Sequence, residues 1–199
     1  SLLEKEIENL QLALKNKSNQ QTNLNQELDH YNSTIDKLNK EIENVYFNSI
    51  STTKYEPLNL NDNKTFEYKR GFLPWPVSAH KVVLRYGEQL HPKHRNIKIN
   101  NSGLDISTPL EDVSAIMEGK VVSVSKISNN QITVILQHDN EYYTVYSNLR
   151  ISNIREGDIV NSNQILGTLN VKDGNGYQLH FEIWKDRENL NPTNWLKNN

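Results

Sequence analysis

The first 48 residues contain neither glycine nor proline, and their apolar residues recur in a heptad pattern. Spacings of four and three alternate without a break, which is typical of a helix that packs along one face against a partner helix. At about 1.5 Å per residue such a helix is roughly 65 Å long. The register positions are Leu3, Ile7, Leu10, Leu14, Lys17, Gln21, Leu24, Leu28, Tyr31, Ile35, Leu38, Ile42 and Val45, and all but Lys17 and Gln21 are apolar or aromatic.

We therefore predict a coiled-coil helix over residues 1–48, whose partner is a preceding helix, a second copy or another protein. The alternative is one amphipathic helix packed on its own domain, but a helix of this length would overrun the domain that follows. The polar stretch 16–23 is either part of one helix or the tip of a helical hairpin. Because the register survives across it, a continuous helix is favoured.

A β domain is predicted behind this helix. Residues 49–69 lose the periodicity and are rich in Ser, Thr, Asn and Asp, so they are expected to be a linker. From residue 70 to 199, many short strands alternate with turn signals, which favours an antiparallel β-sandwich or barrel. The predicted strands are 82–86, 112–116, 120–125, 132–137, 142–147, 164–169 and 177–184.

The last predicted strand carries candidate functional residues on one face. In this strand apolar and polar residues alternate, so one face is apolar and the other can line a site. A histidine on such a face can reach a metal or a substrate, although a lone histidine is more often only hydrogen-bonded. The polar face carries Gln178, His180, Glu182 and Trp184, and the apolar face Leu179, Phe181 and Ile183.

The chain contains three short motifs, N-x-G-x-D at 101–105, Y-x-N-L at 146–149 and Q-x-H at 178–180. They resemble the H-x-G-x-D, Y-x-H-L and H-x-H motifs of zinc peptidases of the LytM or lysostaphin type, a family that cuts peptidoglycan cross-links. In the family, the first His, the Asp and the last His hold zinc, and the other two histidines assist the attacking water. The resemblance implies that Asp105 and His180 are vestigial ligands, that Asn101 replaces a ligand, and that Asn148 and Gln178 replace the proton-transfer histidines.

The replacements decide the expected chemistry. Catalytic zinc needs three protein ligands and an open position, and only two remain. An amide also has no accessible pKa, so neither Asn148 nor Gln178 can act as a general acid or base. The expectation is a degenerate peptidase without cofactor, metal or catalytic residues.

The resemblance covers residues 70–196 and is strongest for the EnvC-like group of murein hydrolase activators, in which a coiled coil precedes a degenerate LytM domain. Further support comes from the G-D-x-V segment within 155–167, where Asn163 replaces a glycine but tolerates the left-handed conformation, and from N-P-x-x-W-L at 191–196.

This resemblance implies a non-catalytic activator of peptidoglycan N-acetylmuramoyl-L-alanine amidases in cell division, located in the periplasm. A regulatory segment of the amidase would bind the groove, the coiled coil would dock to a membrane division complex, and residues 49–69 either cover the groove or form a plain tether. Peptidoglycan is a further possible partner. The expected groove residues are Asn101, Asp105, Asn148, Gln178, His180 and Trp184, with Trp184 as an exposed aromatic anchor.

Two other functions stay open. One is a passive peptidoglycan-binding or scaffold module of the envelope. The other is a weak zinc endopeptidase that recruits a third ligand such as His91, whose neighbour His94 lies in the same loop; Pro92 argues against a helical metal site there.

Composition excludes several classes of protein. A net charge of −2 with 23% charged residues gives no broad basic field for nucleic acid. The absence of cysteine excludes disulfides and thiolate metal sites. No apolar run is long enough to span a membrane. The chain also lacks a signal peptide pattern, so an export signal is expected to have been removed.

Overall fold

A computed structural model describes residues 2–52, 65–91, 97–128, 131–139, 142–172 and 176–198. The chain divides into two compact units, Ser1–Glu41 and Ile42–Asn199. The first unit is helical and the second contains the β-strands. The expectation of an antiparallel β domain behind a long N-terminal helix is therefore confirmed.

The N-terminal helix, α1, spans Leu2–Thr52 without a break. The prediction of a continuous helix across residues 16–23 is thus confirmed, and the helix ends four residues later than expected. Ile7, Leu10 and Leu14 of the predicted seam are 50–67% exposed in the single chain. No described helix is both long and apolar enough to cross a membrane. Whether α1 forms a coiled coil stays a prediction at this point.

The described residues of the second unit form thirteen strands and two short 3₁₀ helices, Glu67–Lys69 and Pro192–Asn194. Six of these strands were not predicted, namely Gly87–Leu90, Lys98–Asn101, Leu104–Thr108, Ile159–Val160, Val171–Lys172 and Glu188–Leu190. The strands are β1 Lys81–Leu84, β2 Gly87–Leu90, β3 Lys98–Asn101, β4 Leu104–Thr108, β5 Asp112–Ser114, β6 Gly119–Ser128, β7 Gln131–Gln137, β8 Tyr142–Ser152, β9 Ile159–Val160, β10 Ile165–Leu169, β11 Val171–Lys172, β12 Gly176–Lys185 and β13 Glu188–Leu190.

Strand β12, the strand predicted to carry the site, lies in the middle of the large sheet. The strand order is β1-β4-β12-β8-β7-β6-β9, with every pairing antiparallel. β10 pairs with β5 and β8, β11 and β13 pair with β12, and β2 and β3 form a separate hairpin. The side chains of β12 therefore face those of β4 on one side and β8 on the other.

The main core lies on one face of this sheet. The odd-numbered residues of β12, Leu179, Phe181 and Ile183, are fully buried in it. Trp195 also lies in the core and is 3% exposed. Asn163 has the left-handed conformation, with φ of 64°, as expected from its place in the G-D-x-V segment.

A strap of residues that precedes β1 ties the two ends of the domain together. The backbone N–H groups of Gly71 and Leu73 both donate to the carbonyl of Trp195, at 2.9 and 3.1 Å. Leu73 also pairs with Leu196 in a parallel bridge, and the indole of Trp75 donates to the carbonyl of Lys197 at 3.0 Å. Trp75 thus anchors the beginning of the domain against its end.

The core reaches back to Phe66, before the boundary expected at residue 70. Phe66 is fully buried, and its ring lies 4.9 Å from that of Tyr142 and 5.1 Å from that of Trp195. Its backbone N–H donates to the Asp139 carboxylate at 3.0 Å. The last residues of the expected linker therefore pack as part of the domain, whereas residues 53–64 of that linker, proposed to cover the groove, lie outside the described part of the chain.

The structure predicts that Phe66 stabilises the β domain. Phe66→Leu removes the ring stacking but keeps most of the apolar volume, so we expect a loss of about 1 kcal/mol of unfolding free energy. Phe72→Leu, at a position 78% exposed, is the matched control and should change stability by less than about 0.5 kcal/mol. Urea unfolding of both variants tests this. Equal midpoints would contradict the assignment of Phe66 to the core.

Candidate functional site

The candidate site lies on the sheet face opposite the main core. The even-numbered side chains of β12 point to this face, as the alternation predicted. Pairing with β4 brings His180 opposite Asp105, and pairing with β8 brings it opposite Ser147. Residues that are distant in sequence therefore converge on His180.

His180 is held between two carboxylates. Its Nδ1 lies 2.7 Å from Oδ1 of Asp105, and its Nε2 lies 2.7 Å from Oε1 of Glu182. The side chains of His180 and Asp105 are 19% and 15% exposed, and that of Glu182 is 1% exposed. We refer to Asp105, His180 and Glu182 as the triad.

The two carboxylates keep His180 protonated. Burial by itself lowers the pKa of His180, but the hydrogen bonds and negative charges of Asp105 and Glu182 outweigh it and raise the pKa to about 10. Burial also disfavours the charged form of Glu182 and by itself raises its pKa. The hydrogen bond and charge of His180 outweigh burial, with smaller contributions from Ser102 and Trp184, so the pKa of Glu182 lies below its ordinary value. At neutral pH the triad is an imidazolium between two carboxylates, so both ring nitrogens are donors.

Glu182 has three donors, which explains how a fully buried carboxylate is tolerated. Besides His180, Ser102 donates its hydroxyl to Oε1 at 2.5 Å, and the indole N–H of Trp184 donates to Oε2. Trp184 is only 8% exposed, packed with Ile135, Tyr143 and Val145 in a second apolar cluster. The expectation of an exposed aromatic anchor at Trp184 is corrected, because its indole closes over Glu182.

Two of the three amides predicted to line the site are engaged in this network. Gln178 donates from Nε2 to Oδ2 of Asp105 at 2.9 Å. Asn148 donates to the backbone carbonyl of Gln178 at 3.1 Å and accepts from Gln131 at 2.8 Å, from a left-handed backbone with φ of 78°. Both amides thus act as hydrogen-bonding braces of the site.

The third amide, Asn101 at the end of β3, is hydrogen-bonded to the turn that follows it in the sequence. Its Oδ1 accepts from the backbone N–H of Gly103 at 3.4 Å. Its Nδ2 is buried and has no hydrogen-bond partner among the described residues. Five of the six predicted groove residues are therefore linked by hydrogen bonds, directly or through Glu182, while Asn101 lies next to them through Gly103.

Sequence reasoning missed a row of hydroxyl side chains that extends the site across the sheet. Ser147 is opposite His180, and its Oγ lies 2.9 Å from Oγ1 of Thr133 on β7. Thr133 in turn is opposite Ser125 on β6. A polar row thus crosses five strands, from Asp105 through His180, Ser147 and Thr133 to Ser125. The signal for it was weak, because a single hydroxyl in an apolar strand is common.

The residues present do not fit a catalytic zinc ion. Zinc would need a free ring nitrogen on His180 and a third acidic or imidazole ligand. Both ring nitrogens of His180 are engaged by carboxylates, and Asn101 stands in the third position with its oxygen turned to Gly103. Within the described ranges, no group of three or more His, Cys, Asp or Glu side chains is arranged to hold a metal ion.

The histidines outside the site do not add to it. His91 is half-buried and its backbone N–H donates to Ile97, while His94 lies in the stretch 92–96 outside the described residues. His138 is 5% exposed, and its ring lies between the carbonyl of Glu118 and the hydroxyl of Thr144, at 2.7 Å from each. Burial lowers the pKa of His138 to about 4, so it is neutral.

His138 should make the domain sensitive to mild acid. Its pKa is lower in the folded chain than in the unfolded chain, so the unfolded state binds more protons and stability falls as the pH drops from about 6.5 towards 4. The expected loss at pH 5 is about 2 kcal/mol. Urea unfolding at pH 7 and pH 5, compared between the native chain and His138→Gln, measures it. A pH dependence that is unchanged in His138→Gln would refute this role.

Comparison with known proteins found a matching family model and related proteins. The model of "Peptidase family M23" matches residues 99–192, which include all six predicted groove residues. Stage IV sporulation protein FA of Bacillus subtilis is 30% identical over 84 residues, 42% of this chain and 32% of that protein. Stage II sporulation protein Q of the same organism is 34% identical over 88 residues, 43% of this chain and 31% of that protein.

A solved zinc-containing peptidase from Vibrio cholerae shares the fold. It is 22% identical and superimposes with a TM-score of 0.52, over 62% of this chain and 40% of that chain. The match supports an M23-type fold for the β domain and is too distant to transfer an activity. The alignments to the two curated relatives span only about a third of each of those proteins.

Proposed function

We propose that this chain, whose residues 99–192 match peptidase family M23, is a non-catalytic regulator that activates a peptidoglycan amidase in the cell envelope. In this proposal the site binds a regulatory segment of the amidase and removes it from the amidase's own active centre. The observation that carries the proposal is the triad, which holds His180 as an imidazolium where the family places a zinc ligand.

The proposal first requires that the site does not hydrolyse peptides. Peptide hydrolysis at a metal centre needs an activated water and a group that moves a proton. Gln178 and Asn148 have no accessible pKa, and both amides are committed to hydrogen bonds within the fold. The residues around His180 thus favour a site that binds a peptide over one that hydrolyses it.

The proposal also requires that the site can bind a peptide segment. Asn101, Asp105, Asn148, Gln178 and His180 are the partly exposed members of the site, whereas Ser147, Thr133, Glu182 and the apolar cluster around Trp184 are at most 8% exposed. A site with partly exposed amide, carboxylate and imidazole groups suits a peptide segment, whose backbone and polar side chains offer complementary hydrogen bonds. In this proposal Asn101, Asp105, Asn148, Gln178, His180 and Trp184 form its floor and wall.

The helix that precedes the β domain suggests a further partner and a location. The predicted coiled coil of α1 can dock to another protein, and we propose a membrane division complex as that partner and the periplasm as the location. Peptidoglycan itself is the proposed environment of the amidase. The two Bacillus subtilis relatives are both named as sporulation proteins, so remodelling of the envelope during sporulation is an equally suitable setting.

Dye release from labelled peptidoglycan tests the activator function. We expect the full chain alone to release no dye, and to increase release by a cognate amidase several-fold. Gln178→Ala should reduce this stimulation, because it removes the amide that braces Asp105. Glu188→Gln, on an exposed position of β13, is the matched control and should stimulate like the native chain. Thermal unfolding of both variants shows that they are folded.

Two outcomes would contradict the proposal. Dye release by the chain alone, together with one bound zinc per chain measured on the same sample, would favour the weak zinc endopeptidase with His91 as a third ligand. Binding to peptidoglycan without any stimulation of amidases would favour a passive envelope scaffold. One observation does favour the scaffold: several polar groups of the site already hydrogen-bond one another, which leaves fewer of them for a ligand.

A further inference from the structure

We infer that α1 forms a parallel, two-stranded coiled coil with a second copy of this chain. This inference is independent of the proposed amidase function. It begins from the exposure of the seam: Ile7, Leu10 and Leu14 lie on one stripe of α1 and are 50%, 60% and 67% exposed in the single chain. An apolar stripe that follows a heptad register over a long helix is stable only when another helix covers it.

The residues along the stripe select the number and direction of the helices. In the heptad register the d positions hold Leu3, Leu10, Lys17, Leu24, Tyr31, Leu38 and Val45, and the a positions hold Ile7, Leu14, Gln21, Leu28, Ile35 and Ile42. Isoleucine thus fills three of the five apolar a positions, and leucine four of the six apolar or aromatic d positions. β-branched residues at a, combined with leucine at d, pack best in parallel two-stranded coiled coils, and other distributions favour three or four strands. The stripe therefore has the composition of a parallel dimer.

The residues that flank the stripe fit a partner of the same sequence. In a parallel dimer each g position faces the e position five residues further along the partner helix. Glu6, Glu27 and Glu41 occupy g positions and would face Gln11, Asn32 and Tyr46. No acidic side chain meets another in this arrangement.

An antiparallel pairing of two copies is less favourable. Antiparallel helices bring g positions together, so in the two registers that overlap most of the stripe either Glu27 meets its own copy or Glu6 meets Glu41 at both ends. The charges on the flanks therefore favour the parallel direction.

The two polar residues of the stripe fix the register. Lys17 at d and Gln21 at a interrupt an otherwise apolar seam. In an in-register parallel dimer each meets its own copy, whereas a shift by one heptad would place Lys17 against Leu10 or Leu24. Polar residues at core positions lower stability but exclude such shifts, and a lysine can extend its ammonium group out of the seam to water.

Because the chain has no cysteine, single cysteines report the arrangement without background. Leu10→Cys and Leu24→Cys are made separately in the full chain and oxidised with copper phenanthroline. In a parallel, in-register dimer both variants form disulfide-linked dimers. In an antiparallel dimer residue 24 lies near the centre and still cross-links, but residue 10 does not. Gln26→Cys, on the outer face of the helix, is the matched control and should not cross-link.

The mass of the full chain in solution gives a second readout. We expect twice the 23.1 kDa of one chain by light scattering, and one chain for the double variant Leu10→Lys/Leu24→Lys, which places charges in the seam. Cross-linking of Leu24→Cys without Leu10→Cys would overturn the parallel direction. A native chain with the mass of one copy, and no cross-linking of either variant, would overturn self-association itself.

Discussion

Replacing Glu182 by glutamine should cost the β domain about 3–5 kcal/mol of unfolding free energy, because it removes one partner of a buried ion pair. The glutamine keeps the size of the side chain but loses its charge. His180 would then keep its proton beside a single carboxylate, Asp105, or lose it and leave a ring nitrogen without its donor role. Glutamine also presents an NH₂ group where a carboxylate oxygen now accepts from Ser102 or from Trp184. Urea unfolding at pH 7 measures the loss.

Glu188→Gln is the matched control for this prediction, since it makes the same chemical change at an exposed position of β13. It should change stability by less than about 0.5 kcal/mol. A double-mutant cycle with His180→Asn isolates the interaction energy between Glu182 and His180 from the separate contribution of each residue. The loss of stability caused by Glu182→Gln should be smaller when His180 is absent. An equal loss in both backgrounds would show that His180 does not interact with Glu182 as an imidazolium.

Gly103→Ala should destabilise the domain by about 3 kcal/mol, at the upper end of overpacking effects. A Cβ atom at this position would lie 2.2 Å from the backbone oxygen of Phe181 and 2.8 Å from Cγ of Glu182. The oxygen belongs to the central strand β12 and cannot move without displacing the pairing between β4 and β12. The glycine therefore allows β4 to approach closely enough for Asp105 to reach His180.

Gly176→Ala provides the control, because the nearest atom to its Cβ is the backbone oxygen of Thr108 at 3.7 Å, an ordinary contact. We expect its stability to equal that of the native chain or to exceed it slightly, since alanine restricts the unfolded state. Thermal unfolding of both variants measures the loss of stability. Near-ultraviolet circular dichroism of the folded variants, to which all three tryptophans contribute, reports a change in aromatic packing. If Gly103→Ala unfolds like Gly176→Ala, the close approach is not required.

Strands with a regular apolar pattern were predictable, including β8 and β12 of the site, whereas β4, which carries Asp105, was not. β7, β8 and β12 hold long apolar alternations, and each was predicted close to its observed position. β4 alternates equally well in burial, but it carries Asp105, a residue type that is depleted in strands, so it was interpreted only as a motif. The resemblance assigned Asp105 and His180 to one site, and the structure brings the two side chains into contact.

The roles within the site depended on packing that no local pattern contains. The i and i+2 spacing placed His180 and Glu182 on one face, but their contact required the buried pocket closed by Trp184. Trp184 is covered by neighbours from β7 and β8, Ile135 and Val145, whose register is set by the whole sheet. An aromatic residue at a predicted cleft therefore could not be assigned as exposed or buried from its own strand.

The two carboxylates that hold His180 also bear on any attempt to build a metal site in this fold. Histidines introduced at positions 101, 148 and 178 would leave His180 bound at both ring nitrogens, so its contacts with Asp105 and Glu182 would have to separate before the imidazole could bind a cation. A redesign would therefore have to begin at Glu182, whose other donors, Ser102 and Trp184, would need new acceptors.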